Sequence, residues 1–132
     1  MMGLDTNVLV RLFVDDDMVQ ATAARRFVAG RCSRESPGYV DRVVLCEMTW
    51  VLTRVHGYDR AEMVSVVEQL LASQDIVLED EHSVRAALGI FATRGIEFAD
   101  ALICAVNRIR GCEATATFDR KAARLDGFVR VA

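Results

Sequence analysis

The sequence is poor in the features that mark irregular, fibrous or membrane-embedded chains. Its 132 residues include one proline and eight glycines, against 52% apolar and 27% charged residues. That balance excludes the disordered, collagen-like and low-complexity classes. No apolar run approaches the roughly 18 residues of a membrane span, and the first residues lack the basic segment of a signal peptide. We therefore predict one compact, soluble domain over residues 1–132.

Basic charge and patterned cysteines are also scarce. Sixteen Lys and Arg face 19 Asp and Glu, so the formal net charge is −3, which argues against a broad basic groove for nucleic acid. Lysine occurs once, at Lys121; a GC-rich coding genome is the favoured interpretation of this preference for arginine, and bidentate contact with phosphate is the alternative. The four cysteines form no CxxC pair, so we expect neither a zinc site nor a disulfide scaffold, and we predict a reducing cytoplasm.

Short apolar runs alternate with longer helical patterns along the chain. Strands are predicted at residues 2–4, 39–40, 76–78, 113–117 and 128–131. Helices are predicted at residues 8–13, 18–29, 42–56, 59–71, 81–93, 99–110 and 120–125. The fourth begins at a capping box at Asp59, and glycines, among them Gly30 and Gly111, are predicted to end helices. Such alternation predicts a parallel sheet covered by helices on both faces, with ligands bound beyond the carboxyl ends of the strands.

Four carboxylates stand out in this pattern, although each has an ordinary structural explanation. Asp5 and Asp119 follow predicted strands, where an aspartate can also cap a helix. Glu47 lies in the apolar stripe of helix 42–56, where a charge costs several kcal/mol unless it is paired or bound to a cation; exposure at the edge of the stripe is the alternative. Asp100 lies in a first helical turn, where the helix dipole favours an acid.

Taken together, the four acids are better explained by a metal site. Neighbouring carboxylates repel by about 4 kcal/mol per pair at 4 Å and an effective dielectric near 20, and Mg²⁺ prefers their oxygens. A cation held by several acids can activate water for attack on a phosphate. The acidic triplet at residues 15–17 is instead predicted as a solvated turn whose last member caps a helix.

Four segments resemble, in order and spacing, the motifs of the PIN-domain family, and within it the VapC-type toxins of toxin–antitoxin pairs. They are residues 3–10, 44–52, 98–103 and 115–120, and each contains one of the four acids. The resemblance covers the chain from Gly3 to about Leu125. It implies a three-layer α/β/α sandwich around a central, mainly parallel sheet of about four to five short strands.

The same resemblance implies an Mg²⁺- or Mn²⁺-dependent ribonuclease. Asp5 and Asp100 would be the central ligands, and Glu47 and Asp119 would bind the ion directly or through water. Lys121 stands where many relatives carry another acid. Polar residues that match those orienting the carboxylates or the bound water are Thr6, Asn7 and Thr117. The family also implies a homodimer and a small antitoxin protein that blocks the site.

The leading hypothesis is an endoribonuclease toxin that hydrolyses RNA phosphodiesters by metal-activated water. Five arginines near the motifs are candidate phosphate contacts, with a solvated surface role as the alternative: Arg11, Arg54, Arg108, Arg120 and Arg124. The second hypothesis is a catalytically silent PIN domain that binds RNA or a protein. A haloacid-dehalogenase-type phosphatase lacks support, because Asp5-Thr6-Asn7 has no second aspartate.

Overall fold

The computed structural model describes all 132 residues, which form two compact units, Met1–Glu81 and His82–Ala132. None of the helices combines the length and the apolar character that crossing a bilayer requires. The bounds of most elements follow from local signals in the sequence.

The first unit is built on a three-stranded parallel sheet. Its strands lie in the order β1 (Met2–Gly3), β2 (Gly38–Val40) and β3 (Ile76–Leu78). Burial alternates along β3, because Ile76 and Leu78 are buried while Val77 between them is exposed. Gly38 packs closely, since an added Cβ would lie 2.8 Å from the Leu4 side chain, which would have to shift.

Four helices accompany this sheet: α1 (Thr6–Arg11), α2 (Met18–Arg31), α3 (Arg42–Arg54) and α4 (Arg60–Ala72). The last three begin at an aspartate whose carboxylate accepts a backbone N–H of the first turn: Asp17, Asp41 and Asp59. The capping box predicted at Asp59 is confirmed, with Glu62 as its second member. Helix α1 packs against α2 and α3, and α4 packs against α3 and β3.

The prediction that Gly30 ends α2 is wrong. The helix continues to Arg31, and the Cys32 N–H still donates to the Val28 carbonyl. A glycine inside a helix costs only about 0.5–1 kcal/mol relative to alanine, so the backbone hydrogen bonds of the last turn outweigh it.

The second unit contains the remaining elements. Helix α5 (Glu81–Thr93) starts at the boundary residue, and α6 (Phe98–Arg110), β4 (Thr115–Thr117), a 3₁₀ turn (Ala122–Arg124) and β5 (Phe128–Arg130) follow. Strands β4 and β5 pair in parallel, and α6 packs against β4. As predicted, α6 ends at Gly111, whose φ of 97° is left-handed.

The α/β class with parallel strands is confirmed, with six helices and five strands. The strands hydrogen-bond as a set of three and a set of two, and every pair is parallel. The helix predicted at residues 120–125 is wrong in type, because only a three-residue 3₁₀ turn forms there. A single domain over residues 1–132 stays a prediction.

Candidate metal-binding carboxylates

Asp5 occupies the position before α1 without acting as its cap. Its extended backbone, with φ −80° and ψ 163°, is that of an N-cap residue, yet its side chain accepts no capping hydrogen bond. The carboxylate is exposed and directly follows Leu4, at the carboxyl end of the β1 segment. The capping role that explains Asp17, Asp41 and Asp59 therefore does not explain Asp5, and both of its oxygens remain available to a ligand.

The residue after Asp5 carries an unpaired polar atom. The Thr6 hydroxyl oxygen is buried and has no hydrogen-bond partner, an arrangement that costs about 1–3 kcal/mol in a folded protein. Buried polar atoms are nearly always paired with protein, water or an ion. An unpaired hydroxyl beside a free carboxylate therefore fits a place where an ion with its water molecules would bind. Asn7, the next residue, is exposed.

Glu47 is exposed, so of the two alternatives left open by the sequence, burial in the apolar stripe and exposure at its edge, the structure shows exposure. The buried stripe of α3 consists of Val44, Leu45, Met48 and Leu52, and Glu47 lies about 120° around the helix from its centre. The exposed face that carries Glu47 also bears Trp50, which is 56% exposed. Glu47 is thus solvated, and its charge does not carry the free-energy cost of burial.

An ion pair that the sequence analysis missed fixes the start of α3. The Arg42 guanidinium lies 3.4 Å from Glu79 and 3.5 Å from Asp80, and the Arg42 backbone N–H donates to Glu79 at 2.8 Å. Glu79 directly follows β3, and α3 follows β2, so this contact joins the carboxyl ends of neighbouring strands. The partners are 37 positions apart in the sequence, so local patterns cannot predict the pair.

Asp100 lies half-buried in the first turn of α6, and its pKa is raised. Burial is the largest cause, and repulsion by Glu97 and then by Asp119 adds to it. Asp100 and Asp119 therefore lie close enough within the second unit for their charges to repel. Glu97 was not singled out, although its position at the N-cap, three residues before Asp100, could have indicated it.

Asp119 has a structural task that leaves part of its carboxylate free. Its Oδ1 accepts the N–H groups of Lys121 at 2.8 Å and Ala122 at 3.2 Å, so it caps the 3₁₀ turn. The Thr117 hydroxyl in turn accepts the Asp119 N–H at 3.0 Å. Thr117 thereby orients the residue that the motif pairs it with, and Oδ2 is the oxygen that remains for an ion.

Neither unit by itself gathers three or more His, Cys, Asp or Glu side chains that could hold a metal ion. Of the four predicted acids, Asp5 and Glu47 lie in the first unit and Asp100 and Asp119 in the second. Within each unit the residues fit a divalent ion by chemistry, since exposed or mutually repelling carboxylates are the oxygen ligands that such ions prefer.

Comparison with protein families gives a match to the PIN domain over residues 2–128. The chain belongs to the PIN-domain family. PIN domains are generally metal-dependent nucleases that use divalent ions and act on nucleic acids. The six helices and parallel strands agree with that fold. A search among curated proteins finds no significant match.

In this PIN domain the three carboxylates of the acidic triplet at residues 15–17 already have partners within the protein. Arg25 pairs with Asp15 at 2.5 Å, Arg11 pairs with Asp16, and Asp17 caps α2. Asp15 and Asp16 therefore each have a cationic partner within the first unit, and Asp17 has the capping role that the sequence predicted.

The five arginines proposed as RNA contacts differ in how far they are already engaged. Arg11 is only 17% exposed and also donates to Gln20, and Arg108 donates to the Asp126 carbonyl at 3.3 Å. Arg54, Arg120 and Arg124 are exposed. Arg11 and Arg108 thus have structural partners that an RNA phosphate would have to share, and an RNA role for the five stays a prediction.

Proposed function

We propose that this PIN domain is a divalent-metal-dependent endoribonuclease and the toxin of a toxin–antitoxin pair. The observation that carries the proposal is Asp5, a carboxylate at the end of β1 that makes no capping bond and precedes a buried, unpaired Thr6 hydroxyl. Three other aspartates before helices of the same unit are all used as caps. A free carboxylate in that position has no structural task and is suited to a ligand.

The proposed roles follow the family motifs and the contacts of each residue. Asp5 and Asp100 are the central ligands, with Glu47 and Asp119 as outer or water-bridged ones. Bound there, Mg²⁺ or Mn²⁺ would activate water for attack on phosphorus and neutralise charge on the phosphodiester. The chain supplies the positioning: Asp119 offers Oδ2 because its other oxygen is fixed by the 3₁₀ turn, and Thr117 holds the Asp119 backbone.

The proposed partners come from similarity to VapC-type toxins. They are an RNA substrate, a small antitoxin protein that blocks the site, and a second copy of the chain in a homodimer. The proposed place of action is the cytoplasm, where RNA and antitoxin would both meet the enzyme.

The test is cleavage of total cellular RNA by purified protein free of any partner. We expect discrete fragments with Mg²⁺ or Mn²⁺, none with EDTA, and none with Asp5→Ala. Asp17→Ala is the matched control, because it removes an aspartate that caps a helix in the same unit but has no role at the site. It should cut RNA like the parent.

Two outcomes would contradict the proposal. Equal cleavage by Asp5→Ala and the parent would show that the site is assigned wrongly. Binding of Mn²⁺ without cleavage of any RNA would favour the silent binding module. The toxin role has its own readout: expression of the parent should arrest growth and expression of Asp5→Ala should not, and normal growth with a cleaving parent would refute that part alone.

A further inference from the structure

Helix α2 and the residues after it form the most basic stretch of this acidic chain. Residues 18–34 contain four arginines and no Asp or Glu, in a sequence with net charge −3. The four arginines are Arg25, Arg26, Arg31 and Arg34. Charge in this protein is therefore unevenly distributed, and α2 is the element on which positive charge accumulates.

Packing turns the long side chains of α2 outward. The residues that α2 buries are two alanines, Ala21 and Ala24. At 100° per residue Arg26 lies almost opposite them, whereas Arg31 lies about 140° further around the helix, nearer the alanines, and is exposed at the end of α2. Phe27 is 41% exposed, and the Arg31 guanidinium lies 5.5 Å from the centre of its ring. We call Arg26, Phe27 and Arg31 the α2 arginine face.

The charges of this face are not neutralised by the protein. Arg25, on the same helix, pairs with Asp15, and Arg11 and Arg42 likewise have carboxylate partners. Arg26 and Arg31 form no ion pair; the contact of Arg31 is the Phe27 ring. Two uncompensated guanidinium groups on one exposed helix are an attractive surface for a polyanion.

We propose that the α2 arginine face binds single-stranded RNA, with Arg26 and Arg31 on phosphates and Phe27 stacked on a base. The proposal rests on the nuclease function proposed above and adds a path for its substrate. Helix α2 packs against α1, the helix that Asp5 precedes, so an RNA held on α2 would lie in the unit that carries Asp5. An aromatic ring combined with planar guanidinium groups favours nucleic acid over an acidic peptide, which would have no base to stack.

The test measures binding, not cleavage, by fluorescence anisotropy of a labelled single-stranded RNA in EDTA across a series of salt concentrations. Each phosphate contact contributes about 0.7 to the slope of log affinity against log salt for single strands. The double variant Arg26→Gln/Arg31→Gln should therefore lose about 1.4 from that slope. Arg25→Gln is the matched control, and it should leave the slope unchanged because Asp15 already neutralises Arg25.

A second variant tests stacking. Phe27→Ala should weaken binding of ordinary RNA about tenfold and leave binding of an abasic oligomer of equal length unchanged. Equal salt slopes for the double variant and the control would overturn the proposal, and so would polyglutamate competing as well as RNA. If the variants behave as expected but no metal supports cleavage, the binding face stands and the nuclease assignment fails. If Asp5-dependent cleavage occurs without any effect of Arg26 and Arg31, the face alone is refuted.

Discussion

Replacing Asp100 by asparagine should make the metal-free protein more stable at neutral pH. The pKa of Asp100 is raised by burial, by Glu97 and by Asp119. A carboxyl group with a raised pKa binds its proton more tightly in the folded state, so the free energy of unfolding falls as the pH rises from about 3.9 through the raised value. Asp100→Asn keeps the shape and removes the charge. The variant should therefore be more stable than the parent at pH values above this range, and the two should be equally stable below it.

The size of this effect follows from the neighbours of Asp100. Glu97, the N-cap of α6, lies three residues earlier, and its repulsion is taken to be similar to that of a like-charge pair at this spacing on a helix, about 0.2–0.5 kcal/mol. Asp119 is exposed, so its repulsion is screened to a similar scale. Together with partial burial we expect about 0.5–1 kcal/mol, which corresponds to roughly 2–4 °C in the melting temperature of a chain of this size.

Divalent metal should reverse the order of the two proteins. An ion at ten times its dissociation constant stabilises the parent by about 1.4 kcal/mol, and this gain needs the Asp100 carboxylate. The assay is thermal unfolding followed by circular dichroism, in EDTA and in Mg²⁺, at neutral and acidic pH. Glu113→Gln, which removes an exposed charge in the same unit, is the control for net charge. A variant that melts below the parent in EDTA at neutral pH, or that gains equally from Mg²⁺, would refute the reasoning.

Three further predictions concern stability and are checked by urea unfolding. Asp41→Ala should cost about 1 kcal/mol because it removes a cap, whereas Asp5→Ala should stay within about 0.5 kcal/mol; equal losses would contradict the cap assignment. Leu52→Ala should cost about 2–5 kcal/mol, since the side chain is fully buried, and a smaller loss would place Leu52 outside the core. Gly127→Ala should cost about 1–3 kcal/mol, because φ is 95° and an added Cβ would lie 2.5 Å from Arg108; a neutral effect would exclude that crowding.

The parts of the fold that the sequence predicts well are governed by local interactions. The Asp59 capping box needs a residue only three positions away, and Gly111 ends α6 through its own left-handed backbone. Strand β3 was located to the residue because Ile76–Leu78 is an apolar run between polar neighbours. In each case the information and the element it determines lie within one turn or one strand.

Two features could not be predicted because they depend on residues that are far apart in the sequence. Whether Glu47 is buried depends on which side of α3 meets α1 and α4, and periodicity leaves the edge of an apolar stripe undetermined. The pair between Arg42 and Glu79 requires β2 and β3 to be neighbours in the sheet, which local patterns do not contain.

The aspartates that precede helices show why the candidate site needed the structure. Asp5 and Asp41 both follow a strand of the same sheet and both have the extended backbone of an N-cap, so pattern alone gives them one role. The Asp41 carboxylate accepts the Val44 N–H at 2.8 Å, whereas the Asp5 carboxylate accepts none. A cap contributes to stability whether or not a ligand binds, but a carboxylate without a cap bond contributes only when something else occupies it. The physical argument for Asp5 as a ligand is therefore that its carboxylate accepts no capping hydrogen bond. Asp5→Ala should abolish cleavage and leave the free energy of unfolding nearly unchanged, whereas Asp41→Ala should lower the free energy of unfolding.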